Sequence, residues 1–267
     1  MAQTNVQRAV LITGGAHRLG AALVRAFAGN GWRVFLHYGA SKAAAEQLAN
    51  SLNLAGHTVT CIQADLASET QRKAMMDVAY SQVDQLDCLI NNASQFEADS
   101  AKAFDVKDAA NQWSVNLMAP LDLTQILARR NTQTGHATSC VIHVLDQKVF
   151  NLNPDYFSYT VGKLALERTV ALQAQALAPR VRVCGVAPGL MYVSGPQSQE
   201  NFELASSMNL MQKAIDPADV ASTCLFLAQN QAMTGVTLAV DNGQHLVASN
   251  RDVMFVAEEQ LKERKMK

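Results

Sequence analysis

The 267-residue chain has no C-x-x-C pair, and its five cysteines (Cys61, Cys88, Cys140, Cys184, Cys224) follow no pattern. That absence argues against a zinc site or disulfide frame and reads as reduced, buried thiols in a cytoplasmic protein. No apolar run reaches the length of a membrane span, so no membrane partner is expected. Neither sign of charge is in excess: 22 Lys and Arg face 23 Asp and Glu. A nucleic-acid surface or an acidic tail is therefore not expected. Residues 1–8 are polar and run straight into a strand-like segment, so no signal peptide is read there. Repeats, low-complexity tracts and linkers are also missing.

What is present is alternation. Short apolar runs at 9–13, 33–37, 58–62, 86–90, 140–145, 181–186 and 236–240 predict seven strands. Helical stretches lie between them. One runs through Phe27, an Ala-rich one follows Ser41 as its cap, and one starts near residue 68. A long one spans 105–130 with Pro120 as its candidate break, one carries Tyr159 and stops at Pro179, and one covers 217–228. Apolar strands alternating with helices predict an α/β fold: one Rossmann-type domain over residues 1–248, a doubly wound parallel sheet with helices on both faces. Within it, 190–214 is less regular, and Gly195-Pro196 with small polar neighbours predicts a mobile substrate loop. Residues 249–267 read as a helical tail, acids early and bases late, with a structural role or none.

Tyr159 and Lys163 are four apart on one predicted helix and so share a face. An ammonium beside a phenol favours the phenolate and makes the phenol a better acid. Alone the pair is weak, because a core-edge tyrosine beside a solvated lysine has the same spacing. Upstream, the first strand ends in Thr13-Gly14-Gly15-Ala16-His17-Arg18-Leu19-Gly20. Glycines there let a pyrophosphate approach the backbone at a helix N-terminus. Strand two lacks the closing acid that holds the ribose hydroxyls of NAD; His37-Tyr38-Gly39-Ala40-Ser41-Lys42 stands there instead. Lys42 in a first helical turn opposes the helix dipole unless a 2′-phosphate is bound, which points to NADP(H). Asp65-Leu66 and Asn91-Asn92-Ala93 close the third and fourth strands, where an adenine edge and a cofactor groove are expected.

Together these residues resemble the short-chain dehydrogenase/reductase family over residues 9–243. The match comprises T-G-x-x-x-x-x-G at 13–20, N-N-A at 91–93, Asn116, Y-x-x-x-K at 159–163, Pro188-Gly189 and Asp241-Asn242-Gly243. The resemblance implies that Tyr159 is the proton donor and that Lys163 holds the nicotinamide ribose and lowers the tyrosine pKa. It further implies that Asn116 anchors a water relaying protons to the lysine, and that Pro188 and Gly189 flank the nicotinamide. Arg18 replaces the family's middle glycine, Asp146 its usual catalytic serine, and Asn-Asn-Ala runs on into Ser94-Gln95-Phe96. That set looks like the pteridine reductase branch. It implies that Phe96 stacks a pterin or dihydrofolate-like ring, that Ser94 and Arg18 contact pterin and cofactor phosphate, and that Asp146 supports Tyr159. With Ala40 where that branch carries arginine, the 2′-phosphate is expected to rely on His37, Ser41 and Lys42. A serine suits a carbonyl oxygen that becomes an alkoxide, whereas a C=N bond needs a proton at nitrogen, for which a carboxyl is better placed chemically. A carbonyl reductase and a non-catalytic NADP(H) sensor are the alternatives. The family likeness also implies a homotetramer, with helices 105–130 and 156–177 pairing through Ala165, Ala171, Ala174 and Ala178.

Overall fold

Each of the seven apolar runs forms a strand in the computed structural model, which describes residues 7–131, 138–195 and 197–266. Residues 1–6 of the polar N-terminus, Pro196 of the substrate loop and Lys267 of the tail lie outside them. The strands are β1 (Ala9–Ile12), β2 (Arg33–Tyr38), β3 (Thr58–Gln63), β4 (Cys88–Asn91), β5 (Ser139–Val144), β6 (Val181–Pro188) and β7 (Thr237–Val240). They form one parallel sheet in the order β3-β2-β1-β4-β5-β6-β7. The order reverses between β1 and β4, and a doubly wound sheet opens a ligand crevice beyond the strand ends at such a point.

Successive side chains of a strand face opposite ways, and here both ways lead into core. Val10 and Ile12 pack beneath α1 (Arg18–Gly29), α2 (Lys42–Leu54) and α8 (Pro217–Gln229). Ala9 and Leu11 pack on the other side, beneath α3 (Glu69–Tyr80), α5 (Ala119–Asn131) and α6 (Phe157–Leu177). Unbroken apolar runs are what two covered faces require. The four cysteines Cys88, Cys140, Cys184 and Cys224 sit together in the first of these layers as buried free thiols.

Several expectations need correction. The break in the long helical stretch is not Pro120, which sits comfortably in the first turn of α5. It is a π-helical segment, Ser114–Met118, between α4 (Val106–Trp113) and α5. Ser41 stands at the N-cap of α2 but its side chain makes no capping bond. The substrate loop is not irregular throughout: it contains α7 (Gln199–Ser206), capped by Ser198. That helix is tied to α9 (Val253–Met266) by Asn201 Nδ2 donating to Met254 O at 3.0 Å. The four alanines of the expected pairing face do not all look outward, because Ala174 is 5% exposed and packs in the core.

The connection from β1 to α1 is as tight as backbone allows. A Cβ on Gly20 would lie 1.9 Å from Gly14 O, which is backbone and cannot swing away. Gly20→Ala is therefore expected to destabilise by roughly 1–3 kcal/mol through overpacking, read as a lower thermal midpoint. Gly29→Ala in the same helix, with nothing within 4 Å of the added carbon, is the control and should be neutral or slightly stabilising.

In β5, His143 is fully buried between Asn91 Nδ2 at 3.2 Å and Gln173 Oε1 at 2.8 Å. Burial, more than the nearby Lys163 charge, pushes its pKa down to about 4. The unfolded chain takes up this proton below about pH 6.5, whereas the folded protein refuses it. Its stabilising contribution is complete above that pH and is lost as pH falls towards 4. The unfolding free energy should thus drop by about 1.4 kcal/mol per pH unit from this group in that window. His143→Gln should flatten the pH dependence measured by chemical denaturation.

Candidate active site

At the β1/β4 reversal the chain stitches its own backbone into a cradle. The Thr13 hydroxyl accepts the N–H groups of Asn92 and Ala93 at 2.9 and 3.0 Å. The Asn92 amide in turn donates to Thr13 O and Gly14 O at 2.9 and 3.1 Å. Gly14 takes a positive φ of 64° and lies so near Ala93 that a Cβ would sit 3.0 Å from its Cα. Next, α1 begins behind His17, whose side chain makes no capping bond, so the first-turn N–H groups of Arg18 and Leu19 have no side-chain partner there. Such a turn suits an anion.

His37 is the one expected phosphate contact that the structure reassigns. Its ring is 2% exposed; Nδ1 accepts the Gly14 N–H at 3.0 Å, and Nε2 lies 3.1 Å from Ala64 O. The imidazole is therefore neutral with its proton on Nε2, and burial holds its pKa below the usual value. Both nitrogens are spent on tying β1 to β3, so the ring has none to offer a 2′-phosphate. The Ser41 hydroxyl is uncommitted to its helix, and Lys42 is 69% exposed, 3.7 Å from Glu46. Just before them in the chain, Gly39 and Ala40 line a pocket together with His37, Asp65, Leu66 and Val115. Asp65 Oδ1 closes its own turn by accepting from Ala67 N at 2.9 Å.

A second cavity of about 450 Å³ shares Gly14, Ala93 and Ser94 with the first and runs on past Arg18, Phe96, Asp146, Tyr159, Lys163, Pro188 and Gly189. The structure thus brings the two ends of the expected site into one continuous crevice. Tyr159 sits in the first turn of α6 and donates its phenolic proton to Asp146 Oδ2 at 2.9 Å. The other carboxylate oxygen, Oδ1, accepts from Lys148 N at 2.9 Å and caps the 3-10 turn Gln147–Val149. Asp146 therefore does both things a strand-end aspartate can do. Burial pushes the Asp146 pKa up against the pull of the Lys148 charge.

The tyrosine departs from expectation. Its pKa is raised well above its ordinary value, by burial and then by the Asp146 carboxylate. Lys163 does not offset this. Its ammonium is 5.7 Å from the Tyr159 ring centroid and donates to Val144 O at 2.7 Å. Burial pushes Lys163 itself down to about 8. The pair thus holds its protons, which suits a donor at neutral pH. Asn116, in the π-helical segment, spends its amide on Gln95: Oδ1 accepts Gln95 N and Nδ2 donates to Gln95 O, both at 2.8 Å. Its side chain positions the loop bearing Ser94 and Phe96 instead of reaching towards Lys163.

Phe96 is exposed at the cavity wall, stacked on Tyr156 at 4.1 Å and edge-on to Tyr159 at 4.7 Å. Arg18 reaches across to the substrate loop, donating to Val193 O at 3.2 Å with its guanidinium over Tyr192. Gly189 is packed against Gln244, whose Oε1 accepts Leu190 N at 2.9 Å. The lining residues that escaped the sequence reading include Lys148, Tyr156, Asp252 and Met254. The first two lie inside the window from Asp146 to Lys163 that the chemistry already marked. The last two belong to the tail, where nothing local announces a wall of the pocket.

A family model described as Enoyl-(Acyl carrier protein) reductase matches residues 14–245. Dihydromonapterin reductase of Escherichia coli (strain K12) is 29% identical over 237 residues, covering 89% of this chain and 96% of that protein. FolM alternative dihydrofolate reductase 1 from Brucella canis, solved with NADP, is 33% identical with a TM-score of 0.87 over 93% of this chain and 98% of that one. Its counterpart from Brucella suis, also with NADP, is 34% identical with a TM-score of 0.86, covering 91% and 96%. A seven-stranded parallel sheet, a glycine cradle at its reversal and a Tyr159–Asp146 pair agree with these likenesses, and the chain belongs to the short-chain dehydrogenase/reductase family, in its pteridine reductase-like branch.

Proposed function

We propose that this protein is an NADPH-dependent reductase of a pterin or dihydrofolate-like ring. One observation carries the reading: a partly buried carboxyl, Asp146, hydrogen-bonded at 2.9 Å to the Tyr159 phenol. It agrees with the names of the similar proteins, dihydromonapterin reductase and alternative dihydrofolate reductase.

The cofactor fits the residues present. Glycine is required at 14 and 20 by close backbone approach, and the first turn of α1 has no side-chain cap. NADPH, when bound, supplies the hydride. Gly14, His17, Arg18 and Leu19 would hold its pyrophosphate, Ser41 and Lys42 its 2′-phosphate, and Asp65 with Leu66 its adenine. Asn92, Ala93, Ser94, Lys163, Pro188 and Gly189 would seat the nicotinamide riboside. Phe96 offers an aromatic face to the flat substrate, and Arg18 and Ser94 offer it donors. As carbon gains hydride, the ring nitrogen needs a proton. Tyr159 delivers it, and the Asp146 carboxyl hydrogen-bonded to the phenol, its proton affinity raised by burial, is the group at hand to return a proton to it. Asn116 acts in this scheme by fixing the Ser94–Phe96 loop.

Five free cysteines agree with a reducing compartment, and we place the protein in the cytoplasm. Among the described residues no helix is long and apolar enough to cross a membrane. A homotetramer is likewise proposed, with Met118 and Leu172, 54% and 63% exposed, as apolar side chains available to pair subunits.

NADPH should bind at least ~10-fold tighter than NADH, about 1.4 kcal/mol, by fluorescence titration. Lys42→Ala should narrow that gap and Ala40→Arg widen it; equal affinities would sink the 2′-phosphate assignment. Turnover is best read as NADPH oxidation against dihydromonapterin, dihydrofolate, a ketone panel and an enoyl thioester. Asp146→Asn keeps size and polarity but loses the acidic proton, so dihydropterin turnover should fall ~10²–10⁴-fold while NADPH still binds. Tyr159→Phe should abolish turnover. An Asp146→Asn enzyme within about threefold of the wild type would move the reading to a carbonyl reductase.

A further inference from the structure

The Asp146–Tyr159 pair has charged neighbours in the same wall of the cavity. Lys148 is 2% exposed, its Nζ 2.7 Å from Asp252 Oδ2 and donating to Asn153 Oδ1 at 2.8 Å. Lys148 and Asp252 both line the cavity that holds Asp146, Tyr159 and Phe96. Burying an ion pair costs desolvation, and a well-packed apolar replacement is often neutral or stabilising. Stability therefore gives little reason for charges at this spot, whereas their position beside the proton donor does.

We propose that Lys148 and Asp252 are positioning residues, whose ion pair straps the C-terminal segment to the pocket wall and balances the charge around Asp146, so setting how readily its carboxyl exchanges a proton with Tyr159. The proposal rests on the reductase reading for its role in turnover. The two members act on Asp146 with opposite sign: the ammonium favours its ionised form and the Asp252 carboxylate disfavours it. Asp252 also pushes Tyr159 and Tyr156 up. Around Asp146 the other titratable groups are Tyr159 and Lys163 of α6. Lys148 also faces Asp155 and the Tyr156 ring, whose centroid is 5.6 Å from its ammonium. Asp252 donates its N–H to Asp155 Oδ2 at 2.7 Å, and its neighbour Arg251 bridges to the same carboxylate at 2.9 Å. The strap is thus doubled, and the charges in it nearly cancel.

Opposite signs separate this role from a mere tether. Without the ammonium, the Asp252 charge stands unopposed and Asp146 holds its proton more tightly; without the carboxylate, Asp146 releases it more readily. The experiment is a carbon-13 NMR titration of aspartate carboxyls in the NADP⁺-loaded protein, with the Asp146 resonance assigned by its loss in Asp146→Asn. Lys148→Met should raise the Asp146 midpoint by about one pH unit, and Asp252→Asn should lower it by a similar amount. The double variant should return near the wild type, as should Lys148→Arg, which keeps the charge. In NADPH-oxidation assays the alkaline limb of kcat should follow the same two directions. Midpoints that move the same way in both single variants, or that stay put, would overturn the proposal and leave a structural strap. If the wild type turns over no dihydropterin while the two midpoints still part, the reductase reading falls and the charge balance around Asp146 stands.

Discussion

The Tyr159–Asp146 hydrogen bond is the contact around which the site is built, and much of the chain exists to make it possible. A carboxyl at the end of a central strand must stay out of water without losing its partners. Burial raises its proton affinity, while the N–H of Lys148 and the phenol of Tyr159 satisfy its two oxygens. That geometry needs β5 to stop beside the first turn of α6. Tyr156 helps place that turn by adopting a left-handed φ of 57° at its N-cap. Asp99 then caps the turn by accepting the Ser158 N–H at 3.0 Å. The same burial that raises the proton affinity of Asp146 pushes Lys163 down to about 8, so the two groups answer to one setting.

The sheet was legible because its information is local. Seven short apolar runs separated by helical periodicity leave little freedom once both faces must be covered, and the glycine turn marks where the order reverses. The Tyr159, Lys163 and Asp146 constellation was legible for the same reason, all three lying within one strand-to-helix connection. What could not be read depended on partners far along the chain. His37 looks like a phosphate contact until Gly14 and Ala64 occupy its nitrogens. Ser41 has the chemistry of a cap, and its cap position is filled without one. Pro120 is an obvious helix breaker, yet the interruption falls on the π-helical segment before it. The Tyr159 pKa is raised by burial and then by the carboxylates of Asp146 and Asp252, which spacing alone does not give.

Arg18 shows what a departure from a family pattern can cost and supply. It stands where the family has glycine and still adopts φ 50°, a conformation that costs roughly 1–2 kcal/mol for a residue with a Cβ. In return the crevice gains a guanidinium that spans from the phosphate turn to Val193 and Tyr192. A backbone feature of the cradle has become a side-chain link between the glycine turn and the loop bearing Tyr192 and Val193.

The link between the tail and the pocket has a consequence for the order of assembly. Asp155 and Arg251 are 96 residues apart in sequence, and residues 252–254 follow every strand of the sheet. A growing chain can therefore complete its sheet and glycine cradle before this wall exists. Because α7 is held to Met254, the substrate loop also lacks its anchor until then. Nascent chains should pass through a stage that is already folded around the dinucleotide end and still open at the substrate end. Variation at residues 252–254 can in the same way reshape that wall of the cavity while leaving the sheet untouched.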